Sequence, residues 1–327
     1  MFKALMLTQH DKQTQATLVD LDEAALPPGD VRVRVDYSSL NYKDALAVTG
    51  RGAIVRSWPM VPGIDLAGVV EHSVDAAWRV GDRVVVNGWG LGETAWGGLA
   101  EKASLKAGWL LRLPERFTTR DSMAVATAGY TAALCVMALQ KHGLQPGDGD
   151  VLVTGATGGV GSVAVALLAG LGFEVTASTG RPQEADYLRV MGARHIVDRS
   201  ELSLPGKPLQ SERWAGVVDS VGSHTLVNAL AQTRWSGAVA GCGLAGGSDL
   251  PGTVMPFILR GVTLYGINCV FQPNGVRDQA WALLAEHLKP AQLAQMTHEV
   301  GLSDVVQASG DLLAGRIRGR TVVDVHR

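Results

Sequence analysis

Cysteine is scarce in this chain of 327 residues, which contains only Cys135, Cys242 and Cys269. Three widely spaced cysteines form no complete disulfide framework, and their spacing is not that of a metal site. The eight histidines show no ligand spacing such as HxxxH either. We therefore expect buried thiols in a reducing compartment, and no metal.

An excess of charge of one sign is also missing. Charged residues make up 18% of the chain and the formal net charge is −2, which gives no reason to expect nucleic acid or an anionic membrane as a partner. No signal peptide is evident, and no uninterrupted apolar run reaches the roughly 18 residues that indicate a membrane-spanning helix. These features predict a cytoplasmic protein.

Glycine is abundant instead, and its densest motif lies in the segment from Val151 to Arg181, VLVTGATGGVGSVAVALLAGLGFEVTASTGR. The pattern predicts a strand, a glycine turn, a helix that opens near Val160 and a second strand at Phe173–Ala177. Such a turn lets the backbone approach a pyrophosphate, and the helix start offers free N–H groups. A Walker loop is excluded because no Gly-Lys-Ser/Thr ends the turn. The predicted dinucleotide-binding residues of the turn are Gly155, Thr157, Gly158, Gly159 and Val160.

The end of the second strand indicates which dinucleotide binds. An NAD enzyme usually places Asp or Glu about 20 residues after the glycines, where it bonds the ribose 2′-hydroxyl. This chain instead has two hydroxyls, a glycine and a guanidinium, in Ser178, Thr179, Gly180 and Arg181. These groups suit a dianionic 2′-phosphate, which a carboxylate would repel. We predict NADPH, the alternative being an ordinary surface turn with a solvated arginine.

The chain divides into two kinds of sequence. The first 115 or so residues are β-rich, with turns of Gly and Pro between alternating strands such as Val31–Val35. From Val151 onward, strand-like runs begin near Val151, Phe173, His195, Ala215, Gly237 and Thr263. Their spacing of roughly 20–25 residues is that of βαβ units in a parallel sheet. We therefore place a dinucleotide-binding domain at 118–259 and a discontinuous β-rich catalytic domain at 1–117 and 260–327.

Eight motifs extend over nearly the whole chain. They are SSLNYKDALAVTG (38–50), PGID (62–65), WGGLAEKASL (96–105), TGATGGVGS (154–162), STGR (178–181), GCGLAGG (241–247), VMPFILRGV (254–262) and GRTVV (319–323). Through them the chain resembles zinc-free medium-chain dehydrogenases/reductases on the quinone-oxidoreductase side, and most closely the acryloyl-CoA reductase subfamily. The resemblance implies an α/β fold, with a Rossmann doubly wound parallel sheet plus a β-rich GroES-like catalytic domain. It also implies a homodimer.

The resemblance implies NADPH-dependent reduction of the C=C bond of a short enoyl-CoA, most directly acryloyl-CoA to propanoyl-CoA. A general NADPH:quinone or enone oxidoreductase is the alternative activity, and a non-catalytic NADPH-binding protein is the alternative from another class. Zinc alcohol dehydrogenases carry a cysteine ligand where this chain reads Leu40-Asn41-Tyr42, and Gly-His-Glu where it has Gly63-Ile64-Asp65. Without these ligands a conjugate reduction remains feasible, since the enolate needs only hydrogen bonds and a proton.

Four residues are predicted to be catalytic, namely Asn41, Tyr42, Asp44 and Arg320. Asn41 and Tyr42 would face the nicotinamide and the substrate carbonyl, and Tyr42 would stack on or bond the cofactor or protonate the enolate. Arg320 would bond a phosphate or pair with Asp44, so Tyr42 and Arg320 are also predicted cofactor-binding residues. Leu244, after the fifth strand of the sheet, completes the predicted cofactor site. In the alternative interpretation these residues have structural roles only. Asp44 caps the backbone N–H groups at the start of a helix, and Arg320 forms a structural ion pair.

Other residues of the β-rich part have weaker signals. Asp65, in the stretch that holds a zinc ligand in alcohol dehydrogenases, is expected to tie down a turn. Trp89 and Trp96 are candidates for the wall of an acyl pocket. Arg51 and Arg56 are candidates for binding the phosphate groups of coenzyme A, the alternative being arginines in a solvated loop.

Overall fold

The computed structural model describes all of residues 1–327, which form fifteen strands and ten α-helices. The strands are β1 Phe2–His10, β2 Gln13–Leu21, β3 Val31–Leu40, β4 Asp65–Ser73, β5 Arg83–Asn87, β6 Lys102–Leu105, β7 Leu111–Arg112, β8 Val151–Val153, β9 Val175–Thr179, β10 His195–Asp198, β11 Trp214–Asp219, β12 Thr233–Gly241, β13 Thr263–Gly266, β14 Thr297–Gly301 and β15 Arg320–Asp324. The α-helices are α1 Tyr42–Val48, α2 Thr119–His142, α3 Gly159–Gly170, α4 Ala185–Met191, α5 Ser200–Ser203, α6 Ser223–Gln232, α7 Met255–Arg260, α8 Asn274–His287, α9 Pro290–Met296 and α10 Val305–Leu313.

The chain forms two compact units. The β-rich unit comprises Met1–Thr127, Val270–Gln279 and Leu293–Arg327, and the parallel-sheet unit comprises Ala128–Cys269 and Ala280–Gln292. The sequence placed the boundaries at 117/118 and 259/260 instead. The second boundary lies after Cys269 rather than after residue 259. The reason is that β13 hydrogen-bonds to β12 as the last strand of the parallel sheet, which keeps this part of the chain in the parallel-sheet unit.

The β-rich unit is built on a seven-stranded sheet. Its order is β14-β15-β3-β4-β5-β7, with β6 also paired to β3, while β1 and β2 form a separate hairpin. In β3 the side chains of Val31, Val33 and Val35 are fully buried, whereas Arg32 and Arg34 are exposed. This is the alternation that a half-exposed strand requires.

Three strand ends of this sheet meet at one edge. β3 ends at Leu40, and its antiparallel neighbours β15 and β4 begin at Arg320 and Asp65. The register pairs Thr321 with Leu40. Because antiparallel neighbours run in opposite directions, the end of β3 lies beside the starts of the other two strands. Polar residues that are distant in sequence are thereby brought together.

The parallel-sheet unit confirms the predicted doubly wound sheet, with strand order β10-β9-β8-β11-β12-β13 and parallel pairing throughout. β9 begins at Val175, two residues later than predicted from Phe173. The winding reverses between β8 and β11. In an open α/β sheet, ligands bind outside the carboxyl ends of the strands at such a switch point.

α2 is an apolar helix with a kink at Ala126, where φ is 45° and ψ is −153°. By length and composition alone it could cross a membrane, but 83% of its most apolar stretch is buried inside the molecule. Burial of this extent is typical of a core helix, so the helix is weak support for a membrane partner.

Candidate functional sites in the two units

The turn between β8 and α3 brings backbone N–H groups to the carboxyl edge of the parallel sheet. Gly155 has a φ of +58°, and a Cβ there would lie 2.6 Å from Ser220 Oγ. A Cβ on Gly161 would collide with the carbonyl oxygen of Gly155. Glycine is the residue that fits both positions. The turn is therefore narrow: the N–H of Gly158 donates to the carbonyl oxygen of Gly155 at 2.9 Å, and the N–H groups of Gly159 and Val160 at the start of α3 fit a pyrophosphate.

The end of β9 lies beside this turn. The N–H of Ala156 donates to the carbonyl oxygen of Ser178 at 3.1 Å. The guanidinium of Arg181 donates to Thr157 Oγ1, from Nη2 at 2.8 Å and from Nε at 3.2 Å. The N–H of Arg181 donates to Thr179 Oγ1 at 3.0 Å. The structure thus brings the predicted residues of the turn and of the strand end together.

A second guanidinium belongs to this site, and sequence reasoning missed it. Arg199 follows β10, the neighbour of β9, and its N–H donates to the carbonyl oxygen of Thr179 at 3.0 Å. A Cβ on Gly180 would collide with Arg199 Nε, so these residues are in direct contact. Arg181 and Arg199 therefore flank the hydroxyl-bearing strand end, an arrangement that suits a dianionic phosphate. The available signal was a basic residue at the end of the next predicted strand.

Leu244 lies in the loop after β12, at the same carboxyl edge of the sheet, and its side chain is exposed. The start of this loop is held by Cys242, whose N–H donates to the carbonyl oxygen of Asp219 at 2.8 Å. Contact between Leu244 and the nicotinamide stays a prediction.

In the β-rich unit, Asp65 is fully buried and lies at the centre of a polar cluster. Its Oδ2 accepts hydrogen bonds from Ser39 Oγ at 2.7 Å and from Asn41 Nδ2 at 2.8 Å. Its Oδ1 accepts from Asn87 Nδ2 at 2.6 Å and from Thr127 Oγ1 at 2.5 Å. Asp65 therefore joins β3, β5 and α2, which is a wider role than tying down one turn.

Asp44 occupies the first turn of α1 within this cluster. Its Oδ2 accepts from the N–H of Asn41 at 2.9 Å and from Asn41 Nδ2 at 3.0 Å, and its Oδ1 accepts from the N–H of Ile64 at 2.9 Å. The first of these bonds is the helix cap that the sequence offered as an alternative. Asn41 Nδ2 also donates to Ser39 Oγ at 3.1 Å. Because the acceptors of this amide are all internal, Asn41 orients its neighbours rather than presenting a free donor.

Arg320 completes the cluster from β15, with a side chain that is only 3% exposed. Its Nη1 donates to Asn41 Oδ1 and its Nη2 to Ser39 Oγ, both at 3.2 Å. Its Nε donates to the carbonyl oxygen of Ala124 at 3.0 Å. The predicted pairing with Asp44 is therefore indirect and runs through Asn41. One buried cation thus serves a cluster that contains two buried carboxyl groups.

The charge state of this cluster depends on pH. Burial raises the pKa of Asp44 to about 7, with a further upward contribution from the nearby Asp65 carboxylate. Hydrogen bonds from Asn41 and Ile64 oppose this rise in pKa. Burial also lowers the pKa of Arg320, against the attraction of the two carboxylates.

Tyr42 differs from its neighbours because it is 46% exposed, at the first residue of α1. Lys43, next to it, pairs with Glu93 at 2.8 Å. Tyr42 is therefore the most exposed of the predicted catalytic residues. Its contact with cofactor or substrate stays a prediction.

The tryptophans of the loop after β5 are held by internal contacts. Arg277, a fully buried residue that the sequence did not single out, lies over the Trp89 ring at 4.4 Å from its centroid. Its Nη1 donates to the carbonyl oxygen of Asn87 at 2.7 Å. Trp96 Nε1 donates to the carbonyl oxygen of Pro59 at 3.2 Å. Both rings thus take part in the packing of this unit, and an acyl-pocket role stays a prediction.

Models of known protein families match both parts of the chain. The alcohol dehydrogenase GroES-like domain matches residues 27–115, and the zinc-binding dehydrogenase model matches residues 159–286. The acrylyl-CoA reductase AcuI of Ruegeria pomeroyi is 51% identical over 329 residues, which cover 100% of both chains.

Two solved structures share the fold over almost their full length. The yhdH oxidoreductase from Salmonella enterica, solved in complex with NADP, has a TM-score of 0.97 and 49% identity, covering 98% of this chain and 99% of that one. The Bacillus subtilis protein yhfP, solved with NAD bound, has a TM-score of 0.95 and 42% identity, covering 99% of each chain.

Proposed function

The chain belongs to the medium-chain dehydrogenase/reductase family, and we propose that it is an NADPH-dependent acryloyl-CoA reductase. It reduces the C=C bond of a short enoyl-CoA, so that acryloyl-CoA gives propanoyl-CoA. The observation that carries this conclusion is the identity of 51% with a curated acrylyl-CoA reductase over the whole of both chains. A match of this extent includes the catalytic unit as well as the dinucleotide-binding unit.

The residues of the parallel-sheet unit fit NADPH. The glycine turn has no room for side chains, as the Cβ collisions at Gly155 and Gly161 demonstrate. Arg181 and Arg199 would hold the 2′-phosphate, together with the hydroxyl of Thr179. No carboxylate occupies positions 178–181, so the donor set favours the phosphorylated dinucleotide. NADPH, when bound, supplies the hydride for the reduction.

In the β-rich unit, the buried cluster positions the start of α1. Tyr42, the first residue of this helix, supplies the hydroxyl group that acts on the substrate. Reduction of the enoyl thioester passes through negative charge on its carbonyl oxygen, which a well-placed O–H donor stabilises. The Tyr42 residue is 46% exposed, so its phenol is the candidate for this contact. Asn41, Asp44 and Arg320 fix the orientation of the segment by their mutual hydrogen bonds.

A direct assay separates this proposal from its rivals. The purified protein is mixed with NADPH and acryloyl-CoA, and the loss of reduced nicotinamide absorbance is followed while propanoyl-CoA is identified by mass spectrometry. Parallel reactions contain a quinone or a simple enone. A higher kcat/KM for the thioester is expected. A higher value for the quinone would favour the general oxidoreductase, and NADPH binding without turnover of any acceptor would favour a non-catalytic protein.

We further propose that the enzyme needs no zinc. Alcohol dehydrogenases hold catalytic zinc with a cysteine and a Gly-His-Glu motif, whereas this chain has Asn41 and Asp65 in the corresponding stretches. No group of three His, Cys, Asp or Glu side chains among the 327 residues is arranged to hold a metal ion. Dialysis against a strong chelator should leave turnover unchanged. Loss of activity that zinc restores would contradict this part of the proposal.

A cytoplasmic homodimer without a membrane partner completes the proposal. None of the three cysteines forms a disulfide, which suits a reducing compartment. β13 is the outer strand of the parallel sheet, and Val254, Ile258 and Leu259 nearby in sequence expose large apolar side chains. An open sheet edge beside exposed apolar groups favours association of two copies. Sedimentation equilibrium should give a dimer for the native chain and a monomer for Ile258→Asp.

A further inference from the structure

A pocket of about 510 Å³ lies in the β-rich unit, between the tip of the β1–β2 hairpin and the loop that follows α1. Its lining includes Lys12 and Thr14 from the hairpin, and Arg51 and Trp58 from the loop. No Asp or Glu lines it. The pocket therefore combines two cations, a hydroxyl and an aromatic ring without an opposing negative charge.

The two cations have no partner within the protein. Lys12 and Arg51 are exposed, and neither side chain takes part in a hydrogen bond or an ion pair. Other basic residues of the same unit are paired, as Lys43 is with Glu93 and Lys102 with Glu71, both at 2.8 Å. Unpaired cations that face one pocket attract an anion, and a phosphate bearing two negative charges is the anion they match best.

The local backbone holds these groups in place. Asp11 and Lys12 form a two-residue hairpin turn in which both residues have positive φ, 47° and 65°, as a type I′ turn requires. Gly50 has a φ of +66°, and a Cβ there would lie 2.9 Å from Thr14 Oγ1. The loop after α1 thus lies directly against the hairpin. Trp58 packs against the hydrophobic core of the unit, and its ring also borders the pocket.

The pocket lies at the opposite end of α1 from Tyr42. Ala47 and Gly50, near the C-terminus of this helix, contribute to its lining, whereas Tyr42 is the first residue of the helix. The seven residues of α1 span about 10 Å at the usual rise per residue. The pantetheine arm of coenzyme A has the backbone length of about four extended residues, roughly 14 Å. A thioester at Tyr42 could therefore place its nucleotide end in the pocket.

We propose that this pocket binds the 3′-phosphorylated adenosine diphosphate end of the acyl-CoA substrate. Lys12 and Arg51 neutralise its phosphates, and the adenine ring stacks on Trp58, since aromatic side chains accept any base. The proposal rests on the proposed acyl-CoA reduction and assigns the part of the protein that distinguishes a coenzyme A thioester from a simple enone. A second pocket of the unit contains a single cation, Lys106, and provides a matched control.

The test compares two substrates in Lys12→Ala, Arg51→Ala, their double variant and Lys106→Ala. For acryloyl-CoA, each of the first two variants should raise KM about five- to tenfold with kcat little changed, because a charge-assisted contact at an exposed site is lost. For acryloyl-pantetheine, which lacks the nucleotide, the same variants should leave KM unchanged. Lys106→Ala should resemble the wild type with both substrates, and thermal unfolding checks that each variant is folded.

A binding measurement that needs no turnover completes the test. Adenosine 3′,5′-bisphosphate is titrated by calorimetry into enzyme saturated with NADPH, so that the dinucleotide site is already filled. Binding should be detectable for the wild type and Lys106→Ala, and should be lost in the double variant.

The outcomes separate this inference from the proposed function. If the wild type reduces acryloyl-CoA but the KM ratio between the two substrates is the same in every variant, the pocket is not the nucleotide site. A rise in KM for Lys106→Ala alone would place the nucleotide in the other pocket and overturn the inference too. Failure of the wild type to reduce acryloyl-CoA at all would contradict the proposed function itself.

Discussion

The two candidate sites differ in the burial and in the hydrogen-bond partners of their charged side chains. At the end of β9, Arg199 is exposed and Arg181 is half-buried, and both residues flank the hydroxyl-bearing strand end. In the β-rich unit, Arg320 is buried with Asp44 and Asp65, and its donors are used within the protein. We propose that charge at the first site serves to bind the cofactor, whereas charge at the second holds the buried cluster next to Tyr42 together.

The two sites also differ in how far apart their members lie along the chain. Thr157 and Arg181, which bond each other beside the glycine turn, are 24 residues apart. Ser39 and Arg320, which bond each other in the buried cluster, are 281 residues apart. A local motif is formed by one βαβ unit, but the cluster exists only when β3, β4 and β15 have paired. Substitutions at the two sites should therefore damage different properties.

The largest expected effect is on stability, for Arg320→Met. Removal of this cation leaves two buried carboxyl groups without their positive partner, and breaking such a buried charge arrangement typically costs about 3–5 kcal/mol. Arg181→Met, at the half-exposed site, should cost less than about 1 kcal/mol. Urea denaturation of both variants measures the free energy of unfolding. Equal losses in the two variants would remove the distinction between a folding site and a binding site.

The next effect is on cofactor choice. Arg181→Ala and Arg199→Ala should each weaken NADPH binding about 10- to 100-fold, as loss of a charge-assisted contact to the 2′-phosphate predicts. The affinity for NADH, which lacks that phosphate, should change little. Arg194→Ala, which removes an exposed guanidinium paired with Glu174, is the control. Fluorescence titration with both dinucleotides provides the measurement, and parallel losses for NADPH and NADH would refute the assignment.

Tyr42→Phe tests whether the exposed phenol next to the buried cluster takes part in the reaction. The change removes the hydroxyl and retains the ring, so kcat with acryloyl-CoA should fall at least about tenfold while NADPH affinity is retained. Tyr265→Phe, which removes a hydroxyl that contacts His142 in the other unit, controls for loss of a phenol elsewhere. A fall in NADPH affinity at constant kcat would make Tyr42 a cofactor-binding residue only. No change in either would leave α1 as a structural element.

The last prediction is a pH dependence of stability that Asp44→Asn should remove. The pKa of Asp44 is about 7 in the folded protein, above its ordinary value of 3.8. The folded state therefore binds more protons between these two values, so the contribution of Asp44 to stability is present below about pH 4 and is lost as the pH rises through about 7. Denaturation between pH 5 and 8 should show a shallower decline for Asp44→Asn than for the wild type. The exposed Asp75→Asn should keep the decline, and an unchanged slope in Asp44→Asn would contradict the prediction.

Particular residues illustrate how far sequence reasoning reached. The glycine turn, the hydroxyl-rich strand end and the parallel sheet were all predicted, with β9 displaced by two residues. Arg199 was missed because its proximity to Gly180 depends on the pairing of β10 with β9. Arg277 was missed because an arginine in a polar helix gives no sign in the sequence that it will be fully buried over Trp89.

The sequence by itself determined the elements whose signals are local. Glycine at positions of close backbone approach, small apolar residues along α3 and the absence of an acid at 178–181 act within about 30 residues of one another. Only the tertiary structure decided that Asp65 accepts hydrogen bonds from several elements rather than from one turn, and that Asn41 and Arg320 lie in one buried cluster. The physical reason is that a buried polar residue takes its role from its partners. Those partners are supplied by strand pairing between distant parts of the chain.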